Sequence, residues 1–166
     1  NGLPLRFTTA HKRFVGDLDP EVSGLAKTSK SYDSFTSELR RGQLPILGNA
    51  AKESLDVVLF GDSHALALAP LFDELCVEMN LRGEVVARSG TFPFGLTSKY
   101  GPKEAVDAIR ERNDCFIQRF RSETADAVFF ALKWDNYVND LKALAELRKM
   151  LNSISSAGAR RIFILR

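Results

Sequence analysis

Apolar and polar residues follow a regular order of short and long segments from about residue 55 onward. Short apolar runs rich in β-branched and aromatic residues predict strands at 56–60, 84–88, 127–132 and 161–165. Longer segments with apolar residues three and four positions apart predict helices at 63–80, 103–122 and 137–155. Strands that alternate with helices indicate right-handed βαβ units. We therefore expect an α/β fold, a three-layer α/β/α sandwich around a parallel sheet.

The first predicted helix carries one apolar stripe formed by Leu66, Leu71, Leu75 and Met79. Pro70 interrupts the same segment. A proline inside a helix removes a backbone donor, so Pro70 either kinks this helix or marks a shorter first segment.

Residues 1–50 differ in composition from the rest of the chain. They contain Pro4, Pro20 and Pro45, several glycines and a Ser/Lys stretch at 27–31. We interpret them as an irregular N-terminal extension packed on the core, with the α/β domain at 51–166.

Composition narrows the class of protein. A chain of 166 residues that is 45% hydrophobic and 27% charged has enough apolar residues for one globular core. Its net charge of +2, with scattered Lys and Arg, is typical of a solvated surface rather than of nucleic-acid binding. Cys76 and Cys115 are not in metal-ligand spacing, so we expect no metal site and no cofactor. No apolar stretch has the length of a membrane helix, and no signal peptide is visible.

The pentapeptide Gly61-Asp62-Ser63-His64-Ala65 links the first predicted strand to the first helix. A serine at the end of a buried strand and the start of a helix can be a nucleophile if a base lies within reach. Its own N–H, at a positive helix end, is a candidate oxyanion donor. Alternatively, Ser63 only caps the helix. We expect Asp62 to hold the turn through backbone N–H groups rather than to act as the catalytic acid.

This pentapeptide resembles block I of the SGNH (GDSL-like) hydrolase superfamily. Its GDSH-Ala form is most similar to the SGNH domain fused behind the membrane domain of acyltransferase-3 proteins, which O-acylate bacterial surface polysaccharides. The opening residues 1–7 resemble the stretch that follows the last membrane helix in such proteins. The resemblance implies an SGNH/flavodoxin-like fold and an acyl-enzyme on Ser63. It also implies an acyl donor and a glycan acceptor, a membrane acyltransferase domain in the same parent chain, and a place at the periplasmic or extracytoplasmic face of a bacterial inner membrane.

A second candidate block, Ser89-Gly90-Thr91-Phe92, follows the second predicted strand. A glycine beyond a strand end lets the backbone approach a ligand closely. In the family, the glycine here supplies an oxyanion donor; alternatively, Gly90 is an ordinary turn residue. The acyltransferase-linked branch often has a cysteine where this chain has Thr91, so Cys115 lacks the disulfide partner that the resemblance would give it.

The third block follows the third predicted strand, which runs into Lys133-Trp134-Asp135-Asn136. The superfamily has Gly-x-Asn-Asp here, with the Asn side chain as an oxyanion donor. Counting from the strand end places Trp134 where that Asn would be, and the acyltransferase-linked branch tends to carry a tryptophan there. Asn136, two residues later, is the candidate donor, and Trp134 is a supporting residue. Alternatively, Asp135 and Asn136 cap the helix predicted to begin near residue 137.

The fourth block of the family, Asp-x-x-His, is not found in this chain. The two histidines are His11, in the extension, and His64, which follows Ser63 directly. Adjacent helical residues do not face each other, so His64 is poorly placed to take the serine proton and is assigned a supporting role in the pocket. The triad is incomplete, so we expect the domain to continue beyond Arg166 and the 166-residue chain alone to show little turnover.

Two functions from different classes therefore remain. The first is a serine O-acyltransferase or acetylesterase that acts on bacterial surface polysaccharide. The second is a non-catalytic carbohydrate- or partner-binding module on the same fold. A nucleotide-binding domain is disfavoured because neither G-x-x-x-x-G-K-[ST] nor G-x-G-x-x-G is present.

Overall fold

The computed structural model describes residues 40–41, 43–87, 103–136 and 139–165. The candidate residues His11 and Gly90 and the opening 1–7 lie outside these residues. The strands are β1 (Ile46–Gly48), β2 (Val57–Gly61), β3 (Arg82–Ala87), β4 (Ala127–Ala131) and β5 (Arg161–Leu165). The α-helices are α1 (Ser63–Glu78), α2 (Lys103–Ser122) and α3 (Leu141–Ser156).

These strands form one sheet in the order β1-β3-β2-β4-β5. The four strands from β2 to β5 are parallel, which confirms the predicted parallel sheet. All five residues of β2 are buried, as the central strand of a sheet covered on both faces requires. The short strand β1 pairs antiparallel with β3, so the last residues of the segment interpreted as an irregular extension belong to the sheet.

Helices cover both faces of the sheet, which confirms the three-layer α/β/α architecture. On one face, α2 and α3 pack over β2, β3 and β4. That core includes Phe60, Phe116, Phe130, Leu147 and Ile154. On the other face, α1 packs over the sheet. That core includes Leu47, Leu59, Ala65, Ala69 and Val85.

The buried face of α1 is not the apolar stripe that its sequence suggests. Of the four residues of that stripe, Leu66 is half-buried against the core, whereas Leu71, Leu75 and Met79 are 40%, 42% and 65% exposed. The residues that face inward are Ala65, Ala69, Pro70, Asp73 and Cys76. Small side chains bring the α1 backbone close to the sheet, and this close packing decides the orientation of the helix instead of the larger leucines.

Pro70 lies inside one continuous helix, so it does not divide α1 into two segments.

Helix α3 begins at Leu141 rather than near residue 137. Its N-cap is Asp140, whose carboxylate accepts from the N–H groups of Lys142 (2.9 Å) and Ala143 (3.2 Å). A side-chain acceptor at this position satisfies two of the unpaired N–H groups at the helix start, which fixes where the helix begins.

Candidate active site

Three strand ends and one helix start converge at the carboxyl edge of the sheet. The register places Gly61 of β2 beside Ala131 of β4, and Ala131 beside Leu165 of β5. Helix α1 begins two residues after β2, at Ser63. In open parallel sheets ligands bind outside the carboxyl ends of the strands, so this edge is the candidate site.

Asp62 forms the turn between β2 and α1 and is buried. It is the N-cap of α1, and its Oδ1 accepts from the backbone N–H of His64 at 2.8 Å. Its Oδ2 accepts from the backbone N–H of Lys133, just after β4, at 2.9 Å. The Asp62 N–H donates to the Ala131 carbonyl at 3.4 Å. Asp62 therefore holds its own turn and also ties the end of β2 to the end of β4.

Ser63 occupies the first helical position of α1 and is exposed. Because Asp62 already caps the helix, the alternative that Ser63 is only a cap residue does not describe this turn. Among the described residues, none hydrogen-bonds to the Ser63 hydroxyl. The N–H groups of a first helical turn have no acceptor within the helix. The Ser63 N–H is thus available to an oxyanion, whereas the His64 N–H donates to Asp62.

The side chain of His64 is exposed and lines the same cleft as Ser63. Within the part of the chain that the structure describes, it forms no hydrogen bond with the Ser63 hydroxyl. The two residues are neighbours on a helix, where side chains at successive positions diverge by about 100°. This arrangement leaves Ser63 without a base among the described residues.

An open cleft with a volume of about 340 Å³ lies beside Ser63. Ser63 and His64 are its polar residues. The remaining lining residues are apolar: Ala67, Leu68, Ala131, Leu132 and Leu165. Sequence reasoning missed these residues. Ala67 and Leu68 could have been found, since they lie one turn beyond Ser63 on α1, but Leu165 comes from a strand far away in the chain.

The residues after β4 form a tight 3₁₀ turn, Trp134–Asn136. The Trp134 N–H donates to the Leu132 carbonyl at 2.8 Å, and the indole Nε1–H donates to the carbonyl of Leu165. Asp135 and Asn136 belong to this turn, so the alternative that they cap α3 is wrong. The side chain of Asn136, like all of Gly90, lies outside what the structure describes, and the roles of both as oxyanion donors stay predictions.

Among the described residues, the buried groups with shifted pKa values are Glu84 and Cys76, and both lie away from this cleft. Burial raises the pKa of Glu84, in β3, even though Arg119 and Arg82 favour its charged form. Its Oε1 accepts from Arg119 Nη2 at 2.6 Å and from Arg82 Nη2 at 3.2 Å. Burial, followed by the charges of Asp73 and Asp56, raises the pKa of the Cys76 thiol to about 11. These buried groups are part of the packing between β3, α2 and α1, not of the candidate site.

Within the described ranges, no group of three or more His, Cys, Asp or Glu side chains is arranged to hold a metal ion. Both Cys76 and Cys115 are free thiols. No described helix combines the length and apolar character that a bilayer crossing needs.

At the end of the central strand of a parallel sheet, a buried aspartate caps α1, and an exposed serine follows it at the first position of the helix, as is typical of SGNH-type modules. The family model described as "SGNH domain (fused to AT3 domains)" matches residues 30–166, and the chain belongs to this family. AT3 denotes acyltransferase-3, and this fusion supports a membrane acyltransferase as the parent protein. Comparison with curated proteins and with solved structures gave no match.

Proposed function

We propose that this domain is a serine O-acyltransferase or acetylesterase that acts on bacterial surface polysaccharide through an acyl-enzyme on Ser63. The observation that carries the proposal is the position and exposure of Ser63. It stands at the first position of α1, exposed to an open cleft, while the neighbouring Asp62 performs the capping. No described residue hydrogen-bonds to this hydroxyl, and a serine so placed at a helix N-terminus is suited to nucleophilic attack next to an oxyanion site.

The reaction would proceed in two transfers. Ser63 Oγ attacks the carbonyl carbon of the donor ester, and its proton passes to a general base. The ester C–O bond then breaks, and the donor oxygen leaves with that proton. In the second transfer a sugar hydroxyl, or water, gives its proton to the base and attacks the acyl carbon. The bond to Ser63 Oγ then breaks, and this oxygen takes the proton back from the base. The Ser63 N–H would stabilise the oxyanion in both steps, with Gly90 and Asn136 as the further proposed donors.

Among the described residues, His64 lines the same cleft but forms no hydrogen bond with the Ser63 hydroxyl, so we propose that the base comes from elsewhere in the protein. In the wider superfamily this base is the histidine of an Asp-x-x-His motif. We propose that such a histidine completes the site in the parent protein, where residues 1–50 connect the domain 51–166 to the membrane acyltransferase region. In this proposal the domain lies at the periplasmic or extracytoplasmic face of a bacterial inner membrane, near its acyl donor and glycan acceptor.

The decisive assay compares hydrolysis of p-nitrophenyl acetate by the 166-residue chain and by the parent protein with its acyltransferase-3 region. In the parent protein, Ser63→Ala should lower turnover by about 10⁴-fold or more, as removal of a nucleophilic serine does elsewhere. The matched control is Ser155→Ala, which changes an exposed serine in the last turn of α3 and should leave turnover intact. Mass spectrometry should detect one acetyl group on Ser63 after rapid quenching.

The 166-residue chain alone should turn over slowly, because a general base contributes about 10²–10⁴-fold in rate. Robust Ser63-dependent turnover by this chain would show that one of its own residues is the base.

The second candidate function, a carbohydrate- or partner-binding module, is favoured by one observation: no described residue is placed to act as a base for Ser63. A parent protein whose O-acylation of polysaccharide is unaffected by Ser63→Ala would support the binding module and contradict the enzyme.

A further inference from the structure

Two hydrogen-bonded links join three neighbouring strand ends beneath the Ser63 cleft. The first link is Asp62, which connects the end of β2 to the N–H of Lys133 after β4. The second link is Trp134, whose indole N–H donates to the carbonyl of Leu165 at the end of β5. Gly61, Ala131 and Leu165 lie side by side in the sheet, so the two links span one continuous row of residues.

We infer that Trp134 is a positioning residue, which holds Leu165 as one wall of the cleft, and that it is not an oxyanion donor. This inference rests on the proposed function for its kinetic consequence. Its structural part concerns where the indole N–H is directed. Counted from the end of β4, Trp134 is at the position where the superfamily has its oxyanion-donating Asn. A positioning role requires the indole Nε1–H to bond to Leu165, whereas a donor role requires the same group to point toward the oxyanion.

The hydrogen-bonding capacity of indole separates these two roles. Indole has one donor, Nε1–H, and no acceptor. In this structure that donor is directed to the Leu165 carbonyl. The indole ring is half-buried and packs against the core between the sheet and helices α2 and α3. Turning the indole N–H toward Ser63 would break the bond to Leu165 and move the ring out of this packing.

The bond to Leu165 has a direct consequence for the cleft. Leu165 lines the cleft with Ser63, and β4, at Ala131, is its hydrogen-bonding neighbour on one side. The backbone of Trp134 is itself fixed, through its N–H to the Leu132 carbonyl at 2.8 Å. Through this hydrogen bond, the indole holds the end of β5 at a fixed distance from the turn after β4. Without this bond, we expect Leu165 to be less well held and the cleft to bind its ligand less tightly.

The structural test uses the fact that the chain contains one tryptophan. The 166-residue chain should show a single indole N–H signal in a ¹H–¹⁵N NMR spectrum. Because the proton is bonded to a carbonyl, it should exchange with solvent at least about 10-fold more slowly than that of a free indole. Leu165→Ala keeps the backbone carbonyl and should keep this protection.

The kinetic test compares Trp134→Phe with Leu165→Ala in whichever form, chain or parent protein, shows Ser63-dependent hydrolysis of p-nitrophenyl acetate. Trp134→Phe keeps an aromatic ring and removes the N–H. It should raise KM about 2- to 10-fold, the range of one net hydrogen bond, and change kcat less than about 2-fold. Leu165→Ala should raise KM in the same direction. Loss of an oxyanion donor would instead lower kcat by about 10²–10³-fold.

Free exchange of the indole proton would overturn the inference, as would a kcat loss of that size in Trp134→Phe. Turnover that does not depend on Ser63 would contradict the proposed function instead, and the exchange measurement would still decide where the indole N–H is directed.

Discussion

Gly61, the first residue of the Gly-Asp-Ser-His-Ala motif, has no room for a side chain. A Cβ built on Gly61 would lie 2.0 Å from the Ala131 carbonyl oxygen and 2.9 Å from the Ala65 Cβ. The first contact is with the backbone of β4, so no side-chain rotation relieves it. To restore an ordinary contact, the ends of β2 and β4 would have to separate by more than about 1 Å, which the close packing of the sheet opposes.

We therefore predict that Gly61→Ala destabilises the domain by about 3 kcal/mol. Forced overpacking of a core costs about 1–3 kcal/mol, and contact with backbone belongs at the upper end of that range. Separating the strand ends also weakens the bonds from the Asp62 N–H to Ala131 and from the Lys133 N–H to Asp62, each worth about 1 kcal/mol. For a domain of this size the loss corresponds to a decrease in Tm of roughly 6–12 °C.

Urea unfolding followed by the fluorescence of Trp134 measures this loss. The matched control is Gly83→Ala in β3, whose Cβ would meet Leu47 side-chain atoms at 3.1 Å and the Val57 carbonyl oxygen at 3.2 Å. These contacts are tight but need only a small adjustment, so Gly83→Ala should cost about 1 kcal/mol or less. A Gly61→Ala domain within about 0.5 kcal/mol of the wild type, or equal losses at both positions, would refute the argument from close strand approach.

Three further predictions concern named polar groups. Asp62→Ala should lower the free energy of unfolding in urea by about 2 kcal/mol, because it removes both a helix cap and the acceptor for Lys133. Asp62→Asn keeps one acceptor and should lower it by about half as much; equal losses would contradict the two-bond role. Glu84 has a pKa raised by burial, so its contribution to stability is fully present below the unfolded value of about 4.3 and is lost as the pH rises through the folded pKa. Wild type should therefore lose stability relative to Glu84→Gln as the pH rises from about 4 to 7, and a pH-independent difference would count against it. With a thiol reagent at about pH 8, native protein should react quickly at half-buried Cys115 and slowly at Cys76, whose pKa is about 11, with both reacting in urea; equal native rates would contradict the burial of Cys76.

Much of the fold could be predicted from local patterns. The apolar run that ends at Gly61 predicts a strand buried on both faces. The helical spacing of apolar residues after Ser63 predicts a helix, so the turn has to lie between Gly61 and Ser63. Counting from the ends of β2 and β4 also brought Asp62, Ser63 and Trp134 to one edge of the sheet, because parallel strands present their carboxyl ends together. Family membership followed from the same short motif, and the match over residues 30–166 confirms it.

Other features depended on tertiary contacts that no local pattern contains. The stripe of Leu71, Leu75 and Met79 marks α1 as amphipathic, but the close approach of Ala65 and Ala69 to the sheet decides which face is buried. Helix α3 begins at Leu141, four residues after the predicted position, because the carboxylate of Asp140 caps it.

The cleft shows the same division between sequence and structure. Ser63 and its turn are encoded by adjacent residues, whose hydrogen bonds are local and therefore readable along the chain. Leu165 reaches the cleft only because β5 pairs with β4 in register, and the indole of Trp134 finds its acceptor only after both strands are in place. The sequence by itself determined the nucleophile candidate and the elements around it. The order of the strands decided which distant side chains form the walls, because strand pairing is a choice among neighbours that a single strand does not specify.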